Sequence, residues 1–282
     1  MIPAAFDYLR PTTVEDAVAA LAEAGEEAKV LAGGHSLLPV LRLRLAAPTL
    51  LVDLGGLPQL RGVRTDGDTL VLGAMTTHAE VAGAPVVVDA APLLAQAAAT
   101  IGDRQVRHRG TLGGSLAHAD PAGDLPTAAV ALDAELVLAG PAGRRTVPAR
   151  EFFVDYFTTT LRPDELLVEV RVPALPGWGS HYLKVNRTAQ AWATVAVAAV
   201  VERENGTITQ ARVALTNMGP TPVRAVAVER ALAGVPVDAI EAAAAHAVEG
   251  TSPASDTTAS ADYRRHLAQV LARRALTAAA GS

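Results

Sequence analysis

The sequence predicts an α+β fold in two parts, and three observations carry that prediction. Helical and strand patterns are interleaved through residues 1–175 without a regular repeat. A break follows, Pro173-Ala174-Leu175-Pro176-Gly177, whose residues interrupt either kind of element. Beyond it, over residues 177–282, two β-rich runs flank Asn205-Gly206, a strong hairpin signal, and give way to helical patterns. The first part is expected to divide into two α/β lobes, the second to be an antiparallel sheet with packed helices.

Each element has its own signal. Thr13-Val14-Glu15-Asp16 starts a helix with Thr13 as N-cap, and Val14, Ala17, Val18 and Leu21 recur at helical spacing up to a Gly25 stop. Lys29 to Ala32 reads as a short strand, as do Thr49 to Leu54 and Thr69 to Met75, separated by Gly and Asp turns. Ala90 to Ala99 and Leu125 to Leu132 read as helices, and Glu135 to Leu138 as a strand. In Leu166 to Val172, Leu166, Val168, Val170 and Val172 alternate with Glu169 and Arg171, the period of a strand. The apolar run from Ala191 to Val201 reads as a buried strand, and Thr207 to Thr216 as its partner. Helices are expected over Val223 to Leu232, Val237 to Val248 and Ala261 to Ala278, with Ser252 to Ser260 a polar loop. In the last helix, Tyr263, Leu267, Val270, Leu271 and Ala275 share a face.

Composition narrows the function classes. The net charge of −5 argues against nucleic-acid binding, which favours a basic face. No run of about 18 apolar residues exists, so no membrane span is expected, and the first residues lack a signal-peptide pattern, which points to a cytoplasmic protein. The chain has no cysteine, so it can hold neither an iron–sulfur cluster nor a cysteine zinc site. Redox chemistry would need a bound organic cofactor or a partner chain.

Two glycine-rich segments carry the chemistry: Leu31-Ala32-Gly33-Gly34-His35-Ser36-Leu37 and Thr111-Leu112-Gly113-Gly114-Ser115. Glycine lets the backbone approach a ligand closely, and successive unpaired amides form a concave anion site. Two such loops suggest a pyrophosphate held between two nests, and hence a dinucleotide. No GxGxxG follows a predicted strand and no GK[ST] is present, which disfavours a Rossmann site and a P-loop. His118 and Asp120 have metal-ligand spacing, but no third ligand is evident, so no metal is expected. Arg104, Arg107 and Arg109 read equally as a solvated face or as a docking surface.

These loops, together with Phe6-Asp7-Tyr8, Pro11-Thr12-Thr13-Val14-Glu15-Asp16-Ala17, Asn217-Met218-Gly219-Pro220-Thr221-Pro222 and Tyr263-Arg264-Arg265-His266-Leu267, resemble the flavin-binding medium subunit of the molybdenum hydroxylases. The resemblance spans nearly the whole chain and is nearest to the carbon monoxide dehydrogenase branch. It implies the flavin-binding fold shared with vanillyl-alcohol oxidase, and FAD as cofactor. It also implies electron transfer from the 2Fe-2S clusters of a small partner chain, supplied by a large molybdopterin chain, to an external acceptor, in a dimer of heterotrimers. By the same resemblance Ala32, Gly33, Gly34, His35, Ser36 and Leu37 form the first FAD loop, and Thr111, Leu112, Gly113, Gly114 and Ser115 the second. Asp124 matches an acid near the adenosine side, and Lys184 a lysine facing the flavin, where a cation would stabilise the reduced anionic form. Ala191 stands where many relatives carry an acid. No residue is expected to be catalytic in its own right. The competing reading is a self-sufficient FAD oxidase or dehydrogenase of the same fold, which would need a base and a substrate pocket within this chain.

Overall fold

The structure, a computed structural model, describes residues 2–281. The N-terminal lobe opens with strand β1 (Asp7–Leu9), helix α1 (Val14–Ala24), β2 (Ala28–Leu31), α2 (Leu37–Arg42) and β3 (Leu50–Asp53). Thr13 caps α1 by accepting from the Asp16 amide at 3.0 Å, and Val14, Ala17, Val18 and Leu21 form its buried face. β1 and β2 flank β3 in a small parallel sheet.

The second lobe begins with the β4–β5 hairpin (Val63–Asp66 and Thr69–Gly73) and continues through α3 (His78–Gly83), α4 (Pro85–Ala90), α5 (Pro92–Ala99), α6 (Arg104–Arg107), α7 (Leu112–His118) and α8 (Asp124–Ala131). It closes with β6 (Glu135–Gly140), β7 (Gly143–Pro148), α9 (Ala149–Phe152), the β8–β9 hairpin (Phe153–Asp155 and Thr158–Thr159) and β10 (Leu166–Pro173). Five strands form an antiparallel sheet in the order β4-β5-β10-β6-β7. The strand alternation of residues 166–172 is imperfect: a bulge between Leu167 and Glu169 shifts the register against β6, and Leu166 to Val168 are all buried. Pro92 starts α5 and, with Ala91, separates it from α4, so the helix expected from Ala90 begins two residues later.

The C-terminal part is built on β11 (Gly179–Val185), β12 (Val195–Glu204) and β13 (Thr207–Thr216), continued by β14 (Val223–Arg224). Asn205 and Gly206, both at positive φ, make the β12–β13 turn. Helix α10 (Val226–Leu232) follows, then β15 (Val235–Pro236), which pairs with β13, α11 (Ile240–Ala244) and α12 (Ala261–Gly281). One side of β12, with Val195, Val197, Ala199 and Val201, packs on α12; Ala196, Ala198 and Val200 join the core of the second lobe. A strand buried on both faces explains its unbroken apolar run.

Three expectations need correction. Val223 and Arg224 are strand, so α10 starts at Val226. The helix expected over Val237 to Val248 is helical only at Ile240–Ala244, with tighter turns at either end. In α12 Tyr263 is half exposed, and the inward position is held by Arg264, 1% exposed, which donates to the Ala254 and Thr194 carbonyls and to Asp256. Its cap-side hydrogen bonds tie the residues 252–260 loop to the start of β12, so a charged residue stands where the apolar periodicity placed an aromatic one.

Replacing Leu271, 1% exposed in α12, with Ala should lower unfolding free energy by about 2–5 kcal/mol in chemical denaturation.

Candidate functional site: a cleft between two glycine segments

The first glycine segment leaves β2 and enters α2. Gly34 has φ 80°, a left-handed conformation that glycine adopts without strain, and it turns the chain sharply. Among the described residues, the amides of Gly33, Gly34, His35 and Ser36 donate to no protein acceptor. Four successive unpaired amides around a left-handed turn are an anion-binding nest, as the sequence suggested.

The second segment is different. It is not an open loop but the start of α7: Thr111 is the N-cap, and its Oγ1 accepts from the Gly114 amide at 3.1 Å. The Leu112 amide donates to Thr76 O at 2.9 Å and the Gly113 amide to Ala74 O at 2.8 Å. These amides are therefore engaged, and the second nest is absent. The glycines are required by packing instead. A Cβ on Gly113 would lie 2.5 Å from the Ala74 side chain, and one on Gly114 2.7 Å from Thr111 Oγ1.

Gly33 joins the two segments. A Cβ there would lie 2.4 Å from Arg109 O and 2.8 Å from the Gly110 Cα, so the nest rests backbone to backbone on the strand-like approach to α7. On its other side Gly110 accepts from the His78 amide at 2.9 Å, and a Cβ on it would strike the His78 ring.

Between the segments lies a cleft of about 960 Å³, at the upper end of the range for ligand pockets. Ala32, Gly33, Gly34, His35, Ser36, Leu37, Thr111, Gly114, Ser115, Asp124 and Lys184 line it, with His78, His118, Asp120 and Trp192. Leu112 and Gly113 do not: both are buried behind it. Arg107 donates to the Ile101 and Gly102 carbonyls, which makes it a brace of the cleft wall.

Asp124 and Lys184 are brought together across the two parts of the chain. Lys184 Nζ lies 2.7 Å from Asp124 Oδ2, and their side chains are 6% and 2% exposed. Tyr182 OH donates to Asp124 Oδ1 at 2.7 Å. Burial pushes the Asp124 carboxyl up from its ordinary value, opposed by Lys184 and Tyr182; one cationic and one neutral donor hold it charged. Both oxygens are thus engaged within the protein.

His78 escaped the sequence reading. It is 5% exposed, its Nδ1 has no partner, and burial, followed by the charges of His35 and Arg107, lowers its pKa to about 4. The missed signal was Thr77-His78-Ala79-Glu80, a capping box realised at the start of α3.

The cleft and its nest define a dinucleotide-binding protein of two interlocked lobes with a further domain closing one side. Residues 4–175 match the family described as the FAD binding domain in molybdopterin dehydrogenase, and residues 180–279 the CO dehydrogenase flavoprotein C-terminal domain. The chain is similar to the carbon monoxide dehydrogenase medium chain of Hydrogenophaga pseudoflava, 45% identical over 99% of this chain and 98% of the relative. It is also similar to the caffeine dehydrogenase subunit beta of a Pseudomonas species, 36% identical over 99% and 96%. The solved carbon monoxide dehydrogenase from Hydrogenophaga pseudoflava that lacks the Mo-pyranopterin moiety superposes with a TM-score of 0.96, at 46% identity over 99% and 98% of the two chains. Quinoline 2-oxidoreductase from Pseudomonas putida gives 0.95 at 34% identity over 100% and 99%. The chain belongs to the FAD-binding medium subunits of the molybdopterin dehydrogenases, in the carbon monoxide dehydrogenase type, and is an oxidoreductase subunit whose cofactor is FAD. Four free amides in one concavity fit an anionic pyrophosphate. Among the described residues, no helix is long and apolar enough to cross a membrane.

Two predictions follow from the packing and burial described above. Gly33→Val should both empty the cleft of FAD and lower the melting temperature, because the new side chain meets backbone at Arg109 and Gly110 rather than ligand alone; unchanged melting with lost flavin would contradict the backbone contact. The second concerns pH. His78 binds its proton in the unfolded chain near pH 6.5 but in the folded one only near pH 4. Stability therefore falls as pH drops from 6.5 to 4, by roughly 3 kcal/mol at 1.36 kcal/mol per unit. A His78→Gln variant should show a shallower acid limb in denaturation measured across that window.

Proposed function

We propose that this chain is the electron-transferring flavin subunit of a molybdenum hydroxylase. It receives electrons from 2Fe-2S clusters on a small partner chain and passes them through FAD to an external acceptor, with a large molybdopterin chain selecting the substrate. The observation that carries this reading is the joint one of a dinucleotide cleft with a free-amide nest and a chain devoid of cysteine. FAD, when bound, supplies the redox chemistry, converting between single-electron and two-electron transfer. The protein's own residues bind, orient and polarise.

The Gly33 to Ser36 amides would hold the pyrophosphate, with the oriented dipoles of a nest supplying partial positive charge in place of a salt bridge. Gly114 and Ser115, on the cleft side of α7, let the opposite wall approach, and Thr111 holds that helix start in place. Lys184 brings the one cation that is both buried and in contact with the Asp124 carboxylate to the wall. His78 is neutral at pH 7, so this buried histidine adds no charge to the wall.

The likeness to carbon monoxide dehydrogenase medium chains supports carbon monoxide as the substrate of the assembled enzyme; relatives named for caffeine dehydrogenation and nicotine 6-hydroxylation make the N-heterocycles the competing class. The assembly proposed is a dimer of heterotrimers. The test is to co-express the chain with its cysteine-rich small and molybdopterin-bearing large partners, and to compare that complex with one lacking this chain. The full complex should carry stoichiometric FAD and reduce an artificial acceptor with substrate. The complex without this chain should still bleach its iron–sulfur bands with substrate but lose acceptor turnover by at least about tenfold, equivalent to about 1.4 kcal/mol in barrier. Acceptor reduction at the same rate without this chain would contradict the relay.

A further inference from the structure

The Asp124–Lys184 pair does not stand alone. Tyr182 and Lys184 alternate on the same face of β11, and both reach Asp124, at the first turn of α8. Tyr182 is 5% exposed; its OH donates to Asp124 Oδ1 and lies 3.4 Å from Thr216 Oγ1, which in turn is bonded to Thr127 Oγ1 at 2.8 Å. Its amide is held by Gln96 Oε1 from α5 at 2.8 Å. The ring is thus fixed at both ends, and its hydroxyl has one strong acceptor, the carboxylate. Lys184 Nζ has that same carboxylate as its close acceptor, with the Thr100 carbonyl more distant at 3.5 Å.

We propose that Tyr182 is a positioning residue for the electron-transfer function: by fixing Asp124 it fixes the charge and aim of the Lys184 ammonium at the cleft wall, and through that charge it sets the reduction potential of bound FAD. This rests on the FAD-relay reading above. The physical chain is short. A carboxylate buried beside the cleft stays ionised only while donors compensate its lost hydration. With Asp124 ionised and Lys184 protonated, the pair is a local dipole of zero net charge. Removing the Tyr182 hydroxyl takes away one donor, so Asp124 takes up a proton at higher pH. Once protonated it no longer neutralises Lys184, and the cleft gains a positive charge in a region of low dielectric. Reduction adds negative charge to the cofactor, so a more positive cleft favours the reduced form.

The groups that face Asp124 limit the alternatives. Lys184 and Tyr182 face it from β11, and Asp120 from the turn before α8 is the other charge acting on it, raising its pKa. From β13 and α8 only the hydroxyls of Thr216 and Thr127 continue the network. Burial and Asp124 together push the Tyr182 phenol well above its ordinary value, so it remains a donor throughout. Among the groups hydrogen-bonded to one another here, Asp124 is the carboxylate, and Asp120 acts on it through space.

The experiment is a spectroelectrochemical titration of FAD in the assembled complex, from acid to neutral pH, for the wild type, Tyr182→Phe, Asp124→Asn and the double variant, with FAD content measured in each. Tyr182→Phe should shift the potential positive in the pH window where the variant's Asp124 is protonated and the wild type's is still ionised, and the shift should close again once both are protonated. Asp124→Asn should shift it positive wherever the wild-type carboxylate is ionised, and the double variant should match Asp124→Asn, because Tyr182 acts through that carboxylate. An unmoved or negative shift in Tyr182→Phe, or a shift that adds fully to that of Asp124→Asn, would overturn the proposal. If Tyr182→Phe loses its FAD, the double variant decides: retention there supports a destabilising, under-bonded carboxylate, and loss in both overturns the role. A wild-type complex without FAD would instead remove the cofactor reading itself, and the proposal with it.

Discussion

The contact of Gly33 with the Arg109–Gly110 backbone is the constraint on which the rest of the site depends. Two chain segments can approach this closely only where neither carries a side chain in the gap, and here the gap has no room for a single Cβ. The contact pins the small parallel sheet of the first lobe to the approach of α7 in the second. With the lobes held there, the nest amides open into the cleft. From the same contact the chain of packing runs inward: Gly110 against His78, and Gly113 against Ala74 at the end of β5. The shape of the cleft is a consequence of backbone packing, and its polar lining is added afterwards.

The third side of the cleft is held by a different force. The C-terminal sheet meets the second lobe through alanine- and valine-rich faces, which pack closely but specify little. Register between them comes from buried polar groups: Gln96 on the β11 amide, Thr127 on Thr216, Asp124 on Lys184 and Tyr182, and the Asn217 amide on the Pro121 carbonyl at 2.8 Å. Buried polar networks have no tolerance for slippage, because each unpaired member loses its compensation for desolvation. The residues that align the domains are also the ones that determine charge at the cleft, so assembly of the fold and tuning of the site are one network.

Much of this was legible in the chain. The α1 cap, the β12–β13 turn and the buried strand β12 carry local signals that tertiary structure did not override. The free amides of the first glycine segment were legible because a strand ending in paired glycines leaves them without partners. The second was misread as an open loop, because Gly113-Gly114 are poor helix residues; packing against Ala74 and the Thr111 cap impose the helix despite their propensity. Strands β4 and β7 were passed over because their outward residues are polar and their inward ones few. Arg264 was invisible to a periodicity argument, which assigns buried positions to apolar residues and cannot foresee a guanidinium satisfied by two carbonyls and a carboxylate. Tyr182 was missed for a similar reason: its partner lies 58 residues away in sequence.

The two glycine segments differ in what they give the cleft, one offering free amides to it and the other shaping it by packing. The most direct measurement is the position of the FAD phosphates in a structure of the assembled complex. Pyrophosphate oxygens within hydrogen-bond distance of the Gly33, Gly34, His35 and Ser36 amides, with the Leu112 and Gly113 amides still paired to Thr76 and Ala74, are the predicted result. Phosphates bound instead to amides of residues 112–114 freed from those partners would contradict it.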